Sequence, residues 1–256
     1  MASFTSHDGV EIAYDDLGPR EGRAALLLHG FASNRGEAWK RTGWYPAFQR
    51  REQRLVAMDL RGHGESGKPH DPAAYDPEKL VGDVIGLMDH LGLEQVDLFG
   101  YSMGARLALA VAKAAPERIA HLILGGVGDR ALQPSSGGDL MAQAMETDDP
   151  DAITVPILRS FRQFADEQGE DRLALAAMVR RKSAPLTADD LSALRMPVLV
   201  AAGSGDMLAG DPQALAARIN GAHAVTLPGC DHFNAIPHAL LKAAVFDFLD
   251  GWLEPF

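Results

Sequence analysis

The chain has 256 residues, 46% hydrophobic and 23% charged, which is enough for one sizeable core. A formal net charge of −11 disfavours non-specific binding to nucleic acid or to anionic lipid. The one cysteine, Cys230, excludes an intrachain disulfide and a CxxC metal site.

The start, MASFTSHDGVEIAY, has no basic segment followed by an apolar core, so no signal peptide is expected. No run of about eighteen apolar residues argues for a membrane span, and a cytoplasmic location is the default expectation. Two short extended pieces, ASFT and EIAYDDLG, flank Asp8-Gly9, a hairpin signal. AALLLHG (24–30) is apolar without alternation, as in a strand buried on both faces. LVAMDL (55–60), VDLFGY (96–101), HLILGG (121–126), PVLVAAG (197–203) and AVTLPG (224–229) read the same way. Between them, DPEKLVGDVIGLMDHLGL (76–93) spaces Leu80, Val84, Leu87, Met88 and Leu91 as one helix face. MGARLALAVAKAAPERI suits a helix stopping near Pro116, and HALLKAAVFDFLDGWL suits a closing helix. Strands alternating with helices predict a doubly wound, mostly parallel α/β sheet. Residues 129–194 break the rhythm with a loop and short helical patterns. They read as a helical insertion over one end of the sheet, or else as a long crossover.

Gly100-Tyr101-Ser102-Met103-Gly104 matches G-x-S-x-G between an expected strand and an expected helix. A surface loop is the plain alternative, since Ser and Gly both favour turns. A serine squeezed into a strand-to-helix turn needs small neighbours two positions away, and glycine supplies them. Its hydroxyl would need a base. Of nine histidines, His232 in PGCDHFNAI follows the last expected strand, on the sheet edge that would also carry Ser102. Asp206, in the GSGD turn after PVLVAAG, is the preferred orienting carboxylate, with Asp129 as its rival. Asp231 adjoins His232, and neighbouring side chains face each other with difficulty. The backbone N–H groups of Met103 and Phe31 are the candidate oxyanion donors. His29-Gly30 reads as shaping that loop rather than as a metal or base site.

With these residues in place, the chain resembles the α/β-hydrolase superfamily over nearly its whole length. LLLHGF, MDLRGHGESGKP (58–69), GYSMGA, GSGD and GCDH carry the resemblance, in the family's order. It implies an eight-stranded core from 1–128 and 195–256, with 129–194 as a helical cap or lid. Asp59 and Arg61, in the turn after the fourth strand, would then be structural.

Ser102, His232 and Asp206 with an oxyanion hole imply a serine hydrolase that cleaves a carboxylic ester through an acyl-enzyme. Carbon–carbon hydrolysis of vinylogous diketones, lactonase and perhydrolase activities share the machinery and stay open. Ser102 argues against epoxide hydrolases and dehalogenases, which in this family typically use aspartate. Phe233, where the carbon–carbon hydrolases often carry tryptophan, weakens that reading. A receptor binding a small ligand without turnover is the competing class. Phe161, Phe164 and Phe233 are candidate pocket residues for an apolar ester-like substrate, although Phe161 and Phe164 could equally glue cap to core. No metal cluster, phosphate loop or cofactor lysine stands out, so no cofactor is expected. The oligomeric state is not decided.

Overall fold

The computed structural model describes residues 2–133, 137–181 and 186–253. Strands β1 (Ala2–Thr5) and β2 (Glu11–Leu17) form the hairpin expected at Asp8-Gly9, with Gly9 at φ +87° in its turn. Then follow β3 (Ala24–Leu28), helix α1 (Trp44–Arg50), β4 (Leu55–Met58), α2 (Pro77–His90), β5 (Val96–Tyr101), α3 (Met103–Ala114) and β6 (Ile119–Gly125). Helices α4 (Gly138–Glu146), α5 (Pro156–Gln168), α6 (Arg172–Val179) and α7 (Ala188–Ser192) precede β7 (Val198–Gly203). The chain continues through α8 (Pro212–Ala216), β8 (His223–Leu227) and α9 (Ala239–Leu249).

The strands form one eight-stranded sheet in the order β1-β2-β4-β3-β5-β6-β7-β8. The two junctions made by β2 are antiparallel and the rest are parallel. Both faces are covered, which is why the apolar runs do not alternate. Leu26, Leu28, Val56, Leu98, Leu124 and Val200 join a core with α2, α3 and α8. Their neighbours Leu27, Phe99, Ile123 and Leu199 face the other way, against α1 and α9. Trp39 and Trp44 are fully buried in that second core, edge to face at 6.0 Å. Helix α1 escaped the sequence reading: it is short, contains Pro46, and is held by the burial of Trp44, Ala47 and Phe48.

Between β6 and β7 the described residues are helical or irregular. Helices α4, α5 and α6 share a small core of Ala142, Met145, Phe161, Ala165 and Leu175 that rests on Phe31 and Ala32, after β3. Leu191 and Leu194 instead sink into the main core. The buried Glu170 carboxylate, between α5 and α6, accepts from Asn34 Nδ2 at 2.9 Å and from the Gly64 N–H at 2.8 Å. Those two bonds tie the helical segment to loops at the carboxyl edge of the sheet. Among the described residues, no helix is long and apolar enough to cross a membrane.

Candidate active site

Ser102 sits where β5 turns into α3, at φ +55° and ψ −113°, a conformation costly for a residue with a side chain. Its N–H donates to the Gly125 carbonyl at 2.7 Å, and its own carbonyl accepts from Ala105 and Arg106. The flanking glycines have a steric reason. A Cβ at Gly100 would stand 2.2 Å from the Gly104 oxygen, and one at Gly104 would stand 2.2 Å from the Leu28 oxygen. Any larger residue would prise the helix start away from the sheet.

His232 lies on the loop after β8, three strand spacings from β5, or about 14 Å. The loop folds back across the ends of β7 and β6. Its imidazole Nε2 stands 2.8 Å from Ser102 Oγ, and its Nδ1 2.7 Å from Asp206 Oδ2. The other Asp206 oxygen accepts from the N–H groups of Leu208 and Ala209 at 3.0 and 2.9 Å. A carboxylate with every nearby donor aimed at it leaves Nδ1 to carry the ring proton, so Nε2 faces the Ser102 hydroxyl as an acceptor. Asp206 and His232 are buried, and Ser102 is partly exposed.

The GSGD spacing serves close packing of two loops. Gly205 donates to the Cys230 carbonyl at 2.9 Å, and a Cβ at Gly203 would stand 2.2 Å from that oxygen. Asp129, the rival acid, accepts from the Asp211 N–H at 2.8 Å and braces the start of α8 instead. Asp231 accepts from Phe233 and Asn234 N–H groups within its own turn.

The loop after β3 is shaped by two buried histidines. His29 Nδ1 donates to the Gly30 carbonyl at 2.8 Å, and its Nε2 accepts from the Leu60 N–H at 3.0 Å. His63 Nδ1 donates to the Arg61 carbonyl, and its Nε2 accepts from Ala32, which sits at φ +58°. Burial holds both imidazoles below their ordinary pKa, so both are neutral spacers. Among the described residues, the N–H groups of Phe31 and Met103 donate to no carbonyl or side chain. Asp59 receives the Arg35 backbone N–H at 2.7 Å and its guanidinium, while Arg61 is clamped between Asp83 and Asp8. Both are framework, as expected for that turn.

Ser102 and His232 open on a cavity of about 550 Å³. Phe31, Phe161, Phe164 and Phe233 line it, so all three expected pocket residues reach the site. Phe161 meets Phe31 at 5.8 Å and Phe233 at 5.5 Å, and Phe233 also packs on the His232 ring. The Met103 side chain lies outside this cavity and lines a second one. Sequence reading missed the polar lining from Glu37, Arg41, Gln163 and Glu167. Their charge pattern resembles any solvated helix, so nothing local marked them out. It also missed Tyr101, whose hydroxyl reaches the His232 carbonyl, and Glu170.

A mostly parallel sheet carrying a nucleophile-type turn, an imidazole and a carboxylate on its carboxyl edge defines an α/β-hydrolase architecture. Residues 25–174 match the family described as alpha/beta hydrolase fold, and the chain belongs to that family. The chain is similar to a putative 2-succinyl-6-hydroxy-2,4-cyclohexadiene-1-carboxylate synthase of Bacillus subtilis, 36% identical over 48% of this chain and 43% of that one. It is 34% identical to epoxide hydrolase 2 of Siraitia grosvenorii over 46% of this chain and 36% of the relative. The chain thus spans less than half the length of these curated relatives. Among solved structures, a thermophilic esterase from Thermogutta terrifontis superposes with a TM-score of 0.77 at 26% identity, covering 98% of both chains.

Proposed function

We propose that the protein is a serine hydrolase that cleaves a carboxylic ester of an apolar acid or alcohol through an acyl-enzyme. One observation carries the reading: His232 stands 2.8 Å from Ser102 Oγ and 2.7 Å from Asp206 at the wall of an aromatic-lined cavity. Ser102 Oγ attacks the ester carbonyl as Nε2 of His232 takes its proton, with Asp206 holding the ring and offsetting the imidazolium charge. The Phe31 and Met103 N–H groups donate to the tetrahedral oxyanion, a contribution worth roughly a hundred- to a thousandfold in rate per donor. His232 then returns the proton to the leaving alkoxide and deprotonates the water that releases the acid. The helical segment, residues 129–194, acts as a cap, contributing Phe161 and Phe164 to the substrate's apolar part.

The test is kcat/KM across p-nitrophenyl esters of rising chain length, beside a lactone and a vinylogous diketone, for the parent and S102A. The reading expects ester turnover that collapses in a folded S102A protein and covalent capture of Ser102 by a fluorophosphonate. Undiminished turnover in S102A would overturn the assignment, and absence of capture would favour a ligand receptor.

A further inference from the structure

A second cavity, about 250 Å³, lies between α2, α3 and the end of α6. Leu60, Leu80, Met103, Leu107 and Met178 form apolar walls, and Arg106 and Arg181 line it as well. It meets the chain at Met103, the residue after Ser102.

Arg106 is exposed and Arg181 half-buried, and neither has the acid partner that the enclosed guanidiniums have. Arg54 pairs with Asp16 at 2.9 Å, Arg61 with Asp83 at 2.6 Å, and Arg162 with Asp166 at 2.9 Å. Among the described residues, no carboxylate pairs with Arg106 or Arg181. Arg106 Nη1 reaches only the Ala131 carbonyl at 3.3 Å, and Arg181 Nη1 the Met178 carbonyl at 2.7 Å. The one acid lining the cavity, Asp190, is already engaged: Lys113 takes one oxygen and the Thr187 N–H the other. Partial desolvation lowers both arginines' pKa, and the charge of Arg106 lowers that of Arg181 further. Two like charges lining one cavity repel each other, and an anion held between them offsets that repulsion. Asp190 apart, none of the described acidic side chains lines the cavity.

We propose that this cavity is a binding site for a small carboxylate carried on a short apolar chain. The guanidinium forks of Arg106 and Arg181 receive the carboxylate oxygens, a geometry arginine favours. The hydrocarbon stem lies along Leu107 and Met178.

The experiment titrates sodium hexanoate, hexanamide and inorganic phosphate into the parent protein, R106Q and R181Q by calorimetry, at matched ionic strength. Saturable hexanoate binding is expected in the parent, at least tenfold weaker in either variant. Hexanamide and phosphate should each bind the parent at least tenfold more weakly than hexanoate does. Equal hexanoate affinity in the variants, equal affinity for hexanamide or phosphate, or no saturable binding would each overturn the proposal. Both variants should keep or raise the parent's Tm without ligand, because one of two repelling charges is gone. A clear fall in Tm would mark the guanidiniums as structural and overturn it too. No turnover is read, so the result is separate from the fate of the ester hydrolase reading.

Discussion

The Tyr101 hydroxyl donates to the His232 carbonyl over 2.7 Å, joining the turn that carries Ser102 to the loop that carries the imidazole. To reach it, the Tyr101 ring passes the end of β6, where a Cβ on Gly125 or Gly126 would stand 2.8 Å from the ring. Burial pushes the phenol pKa far up, so the group stays a donor across working pH. Tyr101→Phe strands a buried carbonyl and should cost about 1–3 kcal/mol by urea unfolding. If the bond positions His232, kcat falls while KM for a p-nitrophenyl ester holds. Unchanged kcat with lowered stability would reduce Tyr101 to packing.

Asp206 presents only acceptors to the Nδ1 side of His232. Asp206→Asn can turn an amide donor toward that nitrogen and favour the tautomer with its proton on Nε2. Ester kcat is expected to fall on the order of 10⁴-fold with Tm little changed. A loss below tenfold would mean the carboxylate does not orient the ring.

Asp8 should shape acid stability. The Arg61 guanidinium, with a bond from Ser6, holds its carboxyl well below the usual range. A carboxylate depressed in the folded state stabilises fully above its unfolded pKa, about 3.9, and loses that contribution as pH falls toward the folded value. Tm measured from pH 6 to pH 2 should therefore fall less steeply for Asp8→Asn than for the parent. Parallel curves would show the pair to be energetically silent.

Glu170→Ala removes both acceptors that tie the helical segment to Asn34 and Gly64. Leaving those donors without partners should cost about 1–3 kcal/mol. Because Phe161 and Phe164 ride on that segment, KM for longer-chain esters should rise more than KM for acetate esters. Equal shifts for all chain lengths would argue that the segment does not shape the pocket.

Gly104→Ala drives a methyl group into the Leu28 and His29 carbonyl oxygens. Lowered expression or Tm, with loss of fluorophosphonate labelling, is expected. Gly221→Ala, where a Cβ meets nothing within 4 Å, is the control for a positive-φ glycine in open space. A Gly104→Ala protein as stable as Gly221→Ala would refute the close-packing account of the turn.

Much of this was legible before any coordinates. VDLFGY is β5 to the residue, and most other strand runs end within two residues of the observed ends. A strand buried on both faces must be apolar throughout, and that is a property of adjacent residues. The Ser102 turn was legible for the same reason, its steric demand falling on residues two positions away. His232 and Asp206 were found by their position after strands, once a parallel sheet put those loops on one edge.

Whether the three side chains touch was not written locally, because Ser102 and His232 are 130 residues apart and the order of β5 to β8 sets their approach. The same holds for Gly125-Gly126, whose lack of side chains makes sense only beside Tyr101, and for Glu170, whose partners are 136 and 106 residues away. The sequence by itself determined the element types, the steric shape of the nucleophile-type turn and the residue chemistry available at the sheet's edge. Tertiary structure alone decided which acid meets His232, how the polar side chains line the larger cavity and that two arginines share the smaller one. Periodicity and backbone sterics act between near neighbours, whereas charge pairing and cavity lining depend on distances that exist only after the sheet has assembled.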